Sequence, residues 1–170
     1  MGMDVFGKRE DTYFRNNVWW WRPLWAYVGD VCDLSEKDYQ MGANNNGWFY
    51  SKKKANKIAT TLFEEVKSKR THDYMLSRNE HLESLPLKDC EHCNGTGTRT
   101  DIIDKENGCD MSNRETSYSH DCNACNSEYS REEGVLIGKV EDWETHYSFD
   151  VDNVRTFAKF CKESDGFEIC

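Results

Sequence analysis

The chain has 170 residues, of which 31% are charged and 13% are aromatic, and its formal net charge is −9. This length predicts one domain, or one domain with an inserted subdomain, and the aromatic content argues against a disordered chain. The negative charge argues against nucleic acid as the partner, because phosphate binding rests on lysine and arginine, and it favours a basic protein surface.

The start of the chain and the cysteine spacing indicate where the protein works. Five of the first twelve residues are charged, so they do not form the apolar segment of a secretory signal. No stretch approaches the roughly 18 apolar residues of a membrane span. Four of the eight cysteines fall in paired C-x-x-C spacing, which is typical of metal binding rather than disulfides. We therefore expect a reduced, cytoplasmic protein without membrane contact.

In the N-terminal half, hydrophobic spacing predicts a strand and then helices. Residues 3–7 alternate weakly and predict a short strand that ends in a glycine turn. Helical spacing predicts a helix from about 22 to 33, with Pro23 in its first turn. Residues 44–47 form a turn signal, and Ser51 then caps a long helix. A further helix is predicted from 71 to 84, closed by Pro86.

The C-terminal part returns to strand and helix patterns after a polar stretch. Residues 135–140 predict a strand, and residues 143–149 alternate aromatic with polar side chains. Asp150 or Asp152 caps a last helix, Gly166 is a plausible C-terminal cap, and residues 167–170 predict a final strand.

Between these parts, residues 88–134 contain almost no apolar side chains and cannot form their own hydrophobic core, so they are either disordered or held together by a metal. Cys90, Cys93, Cys122 and Cys125 form two C-x-x-C pairs with 28 residues between them. Zinc takes four soft ligands in a tetrahedron, and two thiolates on a tight turn supply one edge each. We therefore predict one structural zinc ion with four cysteine ligands.

Two points about this site stay open in the sequence. Disulfides and free buried thiols are the alternatives to zinc. Cys109, His92 and His120 lie close by in the sequence, and any of them could replace a ligand.

The run Cys90-Glu-His-Cys93-Asn-Gly95-Thr-Gly97 resembles one C-x-x-C-x-G-x-G repeat of the DnaJ co-chaperone cysteine-rich domain. The resemblance implies the geometry of a zinc knuckle. The chain lacks the His-Pro-Asp of a J-domain, so a co-chaperone role does not follow.

More broadly, the Met1-Gly-Met-Asp-Val opening, the segment 13–25 and the segment 143–170 are similar to small uncharacterised phage and bacterial proteins that carry such a cysteine insert. This resemblance implies a phage-type accessory protein that works in the bacterial cytoplasm.

Two segments outside the cysteines are candidates for a ligand site. Four tryptophans fall between Trp19 and Trp25, beside Arg15 and Arg22, and could form an aromatic and basic pocket for a nucleotide, with Trp20 among its residues. The alternative is burial in the core, since Trp19 and Trp21 would share one face of a strand.

Glu144 and His146, beside Trp143 and Tyr147, would also share a strand face and could serve as acid and base or as specificity contacts. A solvated strand face is the alternative for this segment.

The sequence thus predicts an α+β fold with three or four helices on a small mixed sheet. Its core comprises residues 1–87 and 132–170, and a zinc-knuckle insertion, similar to a zinc ribbon, spans residues 88–131. The predicted function is a zinc-stabilised, non-enzymatic accessory protein that engages a host protein or sequesters a small nucleotide. The alternative is an enzyme that acts on a nucleotide or nucleic acid, with Arg22, Glu144 and His146 at its site.

Overall fold

A computed structural model describes residues 2–99, 120–126 and 136–170 of the chain. The chain divides into two compact units. One unit, which we call the α+β unit, comprises Met1–Ser84 and Trp143–Cys170, and the other, the cysteine unit, comprises Leu85–Asp142. The cysteine unit begins before and ends after the predicted insertion 88–131, because a strand at Lys88–Asp89 pairs with one at Lys139–Val140.

The α+β unit contains four strands, five α-helices and one short 3-10 helix among the described residues. The strands are β1 (Gly2–Gly7), β2 (Tyr13–Asn17), β3 (Trp48–Ser51) and, last in the chain, β8 (Gly166–Ile169). The helices are α1 (Val18–Cys32), α2 (Glu36–Gly42), α3 (Lys52–Lys67), α4 (Arg70–Ser84) and α5 (Val151–Glu163), with the 3-10 helix at Trp143–His146.

The four strands form one sheet in the order β2-β1-β8-β3, and every neighbouring pair is antiparallel. The α+β class predicted from the sequence is confirmed. The expectation of a mixed sheet is wrong, because β8 enters between β1 and β3 antiparallel to both. Five helices form rather than three or four, since the short helix α2 was not recognised.

Alternating side chains give the sheet one buried and one exposed face, as strand geometry requires. Val5, Tyr50 and Ile169 are buried beneath the helices, whereas Phe6 and Phe49 are half-exposed on the other face. Helices α1, α3 and α5 pack together on the buried face and enclose the hydrophobic core.

Helix α1 begins four residues earlier than the sequence predicts, so Trp19, Trp20 and Trp21 lie in its first turn. Asn17 is the N-cap, and its side-chain oxygen accepts a hydrogen bond from the backbone N–H of Trp20 at 3.0 Å. Pro23 therefore lies inside the helix and not in its first turn. The helical pitch turns Trp21 into the core and leaves Trp19 exposed, so these two side chains do not share a face.

The structure confirms several local expectations and corrects one. Ser51 caps α3, and the predicted helix 71–84 corresponds to α4. Asp150, rather than Asp152, caps α5, because its carboxylate accepts hydrogen bonds from two backbone N–H groups of the first turn. Gly166 has a φ of 106° but begins β8 instead of capping α5.

Two strand predictions in the C-terminal part need correction. Residues 143–149 do not form a strand, since Trp143–His146 is a 3-10 helix. Of the predicted strand 135–140, only Lys139–Val140 is a strand, and residue 135 lies outside the described residues.

The cysteine unit contains two short antiparallel ladders in its described part. β4 (Lys88–Asp89) pairs with β7 (Lys139–Val140), and β5 (Thr98–Arg99) pairs with β6 (His120–Asp121). The buried cluster of this unit consists of four cysteines, with Val140 packed against it.

Candidate functional site

The first cysteine pair lies on a tight turn that its glycines make possible. The N–H groups of Cys93 and Gly95 donate to the carbonyl of Cys90 at 3.3 and 3.1 Å. Asn94, Gly95 and Gly97 have positive φ angles of 51°, 78° and 75°, a region that glycine adopts without steric cost. The turn brings the N–H of Gly97 to 3.2 Å from the Sγ of Cys93, so the backbone can stabilise a thiolate.

The second pair is held against the first by backbone hydrogen bonds. The N–H of Cys122 donates to the carbonyl of Gly97 at 2.9 Å. Gly97 comes directly before β5 and Cys122 directly after β6, so this bond lies at the end of the β5–β6 ladder. Asn126 closes the second turn, because its N–H donates to the carbonyl of Cys122 at 2.7 Å and its side-chain amide donates to Gly97 at 3.0 Å.

A third segment completes the frame and was missed from the sequence. The carbonyl of Gly138 accepts a hydrogen bond from the N–H of Cys90 at 2.9 Å, and a Cβ at Gly138 would clash with the carbonyl of Gly95. The sequence does contain a signal for this close approach, since an isolated glycine in a strand-like run often marks one.

These turns bring the four thiols together. The Sγ atoms of Cys90, Cys93, Cys122 and Cys125 all lie within 4.8 Å of one another, and all four side chains are buried. The Sγ atoms are 3.8 Å apart between Cys90 and Cys122, and 3.5 Å apart between Cys93 and Cys125. These separations are far too long for disulfides, and the four cysteines are free thiols.

The donor set fits a tetrahedral metal ion. Four sulfurs at the 2.3 Å bond length of a zinc thiolate are about 3.8 Å apart, close to the two separations across the cluster. The four cysteines could therefore hold one metal ion. His92 is exposed and outside the group, and Cys109 lies outside the described residues.

Cys93 and Cys125 do not ionise equally. Burial, together with the hydrogen bond to Cys93, raises the pKa of Cys125 to about 12. Burial also opposes ionisation of Cys93, but the N–H of Gly97 and the neighbouring thiols lower the pKa of Cys93 to about 7. Cys93 therefore ionises more readily than Cys125, and binding of a metal would release the remaining protons.

A second group of side chains gathers on the surface of the α+β unit. We call it the Trp19 cluster, and it consists of Trp19, Arg22, Arg78, Trp143, His146 and Tyr147.

The ring of Tyr147 lies at the centre of the Trp19 cluster. Its centroid is 5.0 Å from that of Trp19 and 5.2 Å from that of Trp143. The ring of His146 contacts Trp19 from the side, at a centroid distance of 5.9 Å. Tyr147 is only 8% exposed, whereas Trp19 is 45% and Trp143 is 57% exposed. Two large, partly exposed aromatic side chains therefore contact one buried tyrosine.

Two arginines hold the tyrosine in place. Arg22 donates from Nη1 to the hydroxyl of Tyr147 at 2.5 Å, and its guanidinium carbon lies 5.3 Å from the ring centroid. Arg78 donates from Nη2 to the backbone carbonyl of Tyr147 at 3.1 Å. The Nε atom of Arg78 is buried and has no hydrogen-bond partner among the described residues. Nothing in the sequence singles out Arg78, because α4 brings it from a distant segment.

The residues predicted as ligand contacts do not all lie in one site. Arg22 and His146 lie in the Trp19 cluster. Arg15 lies on β2, where its Nε is 3.7 Å from a carboxylate oxygen of Asp4, and Trp20 is half-buried in the first turn of α1. The contacts that define the cluster involve neither Arg15 nor Trp20.

Glu144 and His146 do not have the strand geometry expected of them. Both lie in the 3-10 helix, where side chains two positions apart point about 120° away from each other around the axis. The shared face that suggested an acid and base pair is therefore absent at these two residues.

No helix in the described ranges is long and apolar enough to cross a membrane. Comparisons with protein-family models, with curated proteins and with solved structures find no match to this chain.

Proposed function

We propose that this chain is a zinc-stabilised accessory binding protein, in which Cys90, Cys93, Cys122 and Cys125 hold one structural zinc ion. The observation that carries the metal part is the group of four buried Sγ atoms within 4.8 Å of one another. A tetrahedral set of four thiolates is typical of zinc or of iron–sulfur centres. Zinc is the ion that such paired knuckles most often hold.

The role of the zinc is structural. Four protein ligands fill the tetrahedron and leave no position for water or substrate. In the described part of the cysteine unit, the buried hydrophobic cluster is the four cysteines with Val140 packed against them. The free energy of metal binding then serves as the folding free energy of this unit.

Native mass spectrometry tests the zinc assignment on protein that is purified without added metal. We expect a mass excess of one zinc ion that a chelator removes. Cys90→Ser should lose the ion, because zinc then has three thiolates. Cys170→Ser is the matched control, since Cys170 is exposed and outside the group. A metal-free protein lighter by two hydrogens per cysteine pair, or one that carries iron, would overturn the assignment.

The binding part of the proposal rests on the Trp19 cluster. Large exposed aromatic side chains next to arginine are typical of recognition surfaces. The strand face on which Glu144 and His146 would have formed an acid and base pair does not form, so a binding role is favoured over an enzyme. The partner classes are a host protein or a small nucleotide. The phage-type role in bacterial cytoplasm is supported by the sequence resemblance alone.

Two measurements test the binding role together. Tagged protein is used to capture partners from bacterial lysate, in parallel with the variant Trp19→Ala, and its melting temperature is recorded with and without nucleotides. We expect either a partner that the variant fails to capture or a nucleotide that raises the melting temperature. The absence of both results would refute the binding role and leave the zinc assignment intact.

A further inference from the structure

We infer that the Trp19 cluster binds a nucleoside monophosphate, with the base on the open indole rings and the phosphate at Arg22. This assignment rests on the proposed binding function and names its ligand class. It replaces Arg15 and Trp20, which the sequence suggested, with residues that the fold brings together.

The first step is the unusual exposure of two tryptophans. Helix α1 buries Trp21 and Trp25 completely but leaves Trp19 45% exposed. Trp143, from the 3-10 helix, is 57% exposed and also contacts Tyr147. Both rings contact one buried tyrosine, and their exposed parts offer flat aromatic surfaces. Such surfaces bind nucleobases by stacking, whatever the base, because every base has a π face.

The second step is the charge beside these rings. Arg22 is exposed, and one of its N–H groups donates a hydrogen bond to the hydroxyl of Tyr147. The guanidinium has five N–H donors in a planar fork, so further donors remain that can bind a phosphate in bidentate fashion. The hydrogen bonds from Arg22 and Arg78 to Tyr147 end on neutral oxygens, which leaves the charge of both arginines uncompensated by these contacts.

The third step excludes other ligands. Aromatic rings can also bind cations such as methylated lysine, but the guanidinium of Arg22 lies 5.3 Å from the ring centroid of Tyr147 and would repel them. A long nucleic acid needs many phosphate contacts, which a chain of net charge −9 opposes. A ligand with one aromatic ring system and one compact anion matches both parts of the cluster, the exposed indole rings and the guanidinium of Arg22.

Arg78 acts as a positioning residue in this arrangement. Its hydrogen bond to the carbonyl of Tyr147 ties α4 to the segment that follows the 3-10 helix. This bond fixes the ring against which Trp19 and Trp143 pack, so Arg78 needs no contact with the ligand.

Isothermal titration calorimetry of the zinc-loaded full chain tests the inference, with AMP, GMP, CMP and UMP as probes. We expect one site that accepts at least one of the four. The nucleoside and ribose 5-phosphate should bind more weakly, since each keeps only half of the ligand. Trp19→Ala and Arg22→Gln should each weaken binding by about tenfold or more, the range expected for a lost stacking or charged contact.

Matched controls come from the same segments. Trp20→Ala and Arg15→Gln change the same residue types at positions outside the cluster, so they should leave the affinity unchanged. If Trp19→Ala does not fold, Trp143→Ala removes the other open ring and gives the same test. A thermal melt of every variant separates lost binding from lost folding.

The outcomes are distinct. Absence of binding for all four monophosphates overturns the inference, as does an equal loss of affinity in the controls. Tighter binding of a single-stranded oligonucleotide than of any monophosphate would instead indicate nucleic acid and also overturn it. The zinc content, measured on the same sample, shows whether the zinc assignment survives either result.

Discussion

At the scale of single residues, the buried carboxylate of Asp38 accepts hydrogen bonds from three other side chains. Lys54 Nζ lies 2.8 and 2.7 Å from its two oxygens, and Trp48 Nε1 donates to it at 3.1 Å. Ser35 donates its hydroxyl to the same carboxylate at 2.7 Å. One side chain thus joins helix α2, strand β3 and helix α3.

The pKa of Asp38 reflects these contacts. Burial raises the pKa, but the hydrogen bonds from Lys54, Ser35 and Trp48 outweigh burial and leave the pKa below its usual value. A carboxyl whose pKa falls on folding stabilises the fold fully above its unfolded pKa, about 3.9, and loses this contribution as the pH falls through the folded pKa.

We expect Asp38→Asn to lower the free energy of unfolding at neutral pH by about 1–3 kcal/mol, since it removes hydrogen bonds to a charged group. Urea unfolding measures this loss, and the difference from the parent should narrow as the pH falls below about 5 and through the folded pKa of Asp38. Asp33→Asn is the control, because the ion pair of Asp33 with Lys57 is exposed and the residue has a φ of 50° that asparagine tolerates. An equal loss in both variants would contradict the argument.

At the scale of elements, helix α1 divides its tryptophans between core and surface. The rings of Trp21 and Trp25 are stacked with their centroids 5.1 Å apart. Their Nε1 atoms donate to backbone carbonyls of α2, Trp21 to Gly42 at 3.1 Å and Trp25 to Tyr39 at 2.9 Å. The stack therefore anchors α2 on α1, which explains why this short helix is stable although its sequence signal is weak.

We expect Trp21→Ala to lower the free energy of unfolding by about 3–5 kcal/mol, the usual cost of removing a large aromatic from a core. The measurement is chemical denaturation followed by circular dichroism. Trp19→Ala should cost much less, because nearly half of that side chain is exposed. A larger cost for Trp19 than for Trp21 would mean that the helix has the opposite orientation.

At the scale of the whole molecule, the two units have separate buried clusters. The α+β unit encloses an aromatic and aliphatic core, and the cysteine unit encloses its four thiols with Val140. We expect the two units to respond differently to metal removal, because the four cysteines that could hold an ion all lie in the cysteine unit.

Amide hydrogen exchange before and after chelation measures this difference. Amides of the cysteine turns, such as Gly95, Gly97 and Asn126, should lose protection. Amides of the central strands β1 and β8 should keep theirs. Loss of protection in both units at once would show that the molecule unfolds as a single cooperative unit.

Local signals account for most of what the sequence could predict. Ser51 and Asp150 mark helix starts through their side-chain caps, and the C-x-x-C pairs with Gly95 and Gly97 specify their turns by covalent spacing and backbone freedom. Each of these features depends on neighbours within a few residues. Such local signals predicted the helices α3, α4 and α5 and the grouping of the four cysteines.

The features that the sequence could not predict depend on distant contacts. Alternation at Trp143–His146 is typical of a strand, yet packing of Trp143 and His146 against other aromatic rings accompanies a 3-10 helix there. The antiparallel sheet order depends on which strands meet after folding. Arg78 joins Tyr147 only because α4 contacts the 3-10 helix.

The place of β8 in the sheet has a consequence for synthesis on the ribosome. β8 follows β1 and β3 along the chain but lies between them in the sheet, and Phe167 stacks on Tyr50 at a centroid distance of 4.7 Å. Until residues 166–169 have been synthesised, neither β1 nor β3 has β8 as its neighbour, and Phe167 is missing from the core. The four thiols and Gly138 have all been made before then. A nascent chain therefore presents all four cysteines, which could hold a metal ion, before β8 can join the sheet.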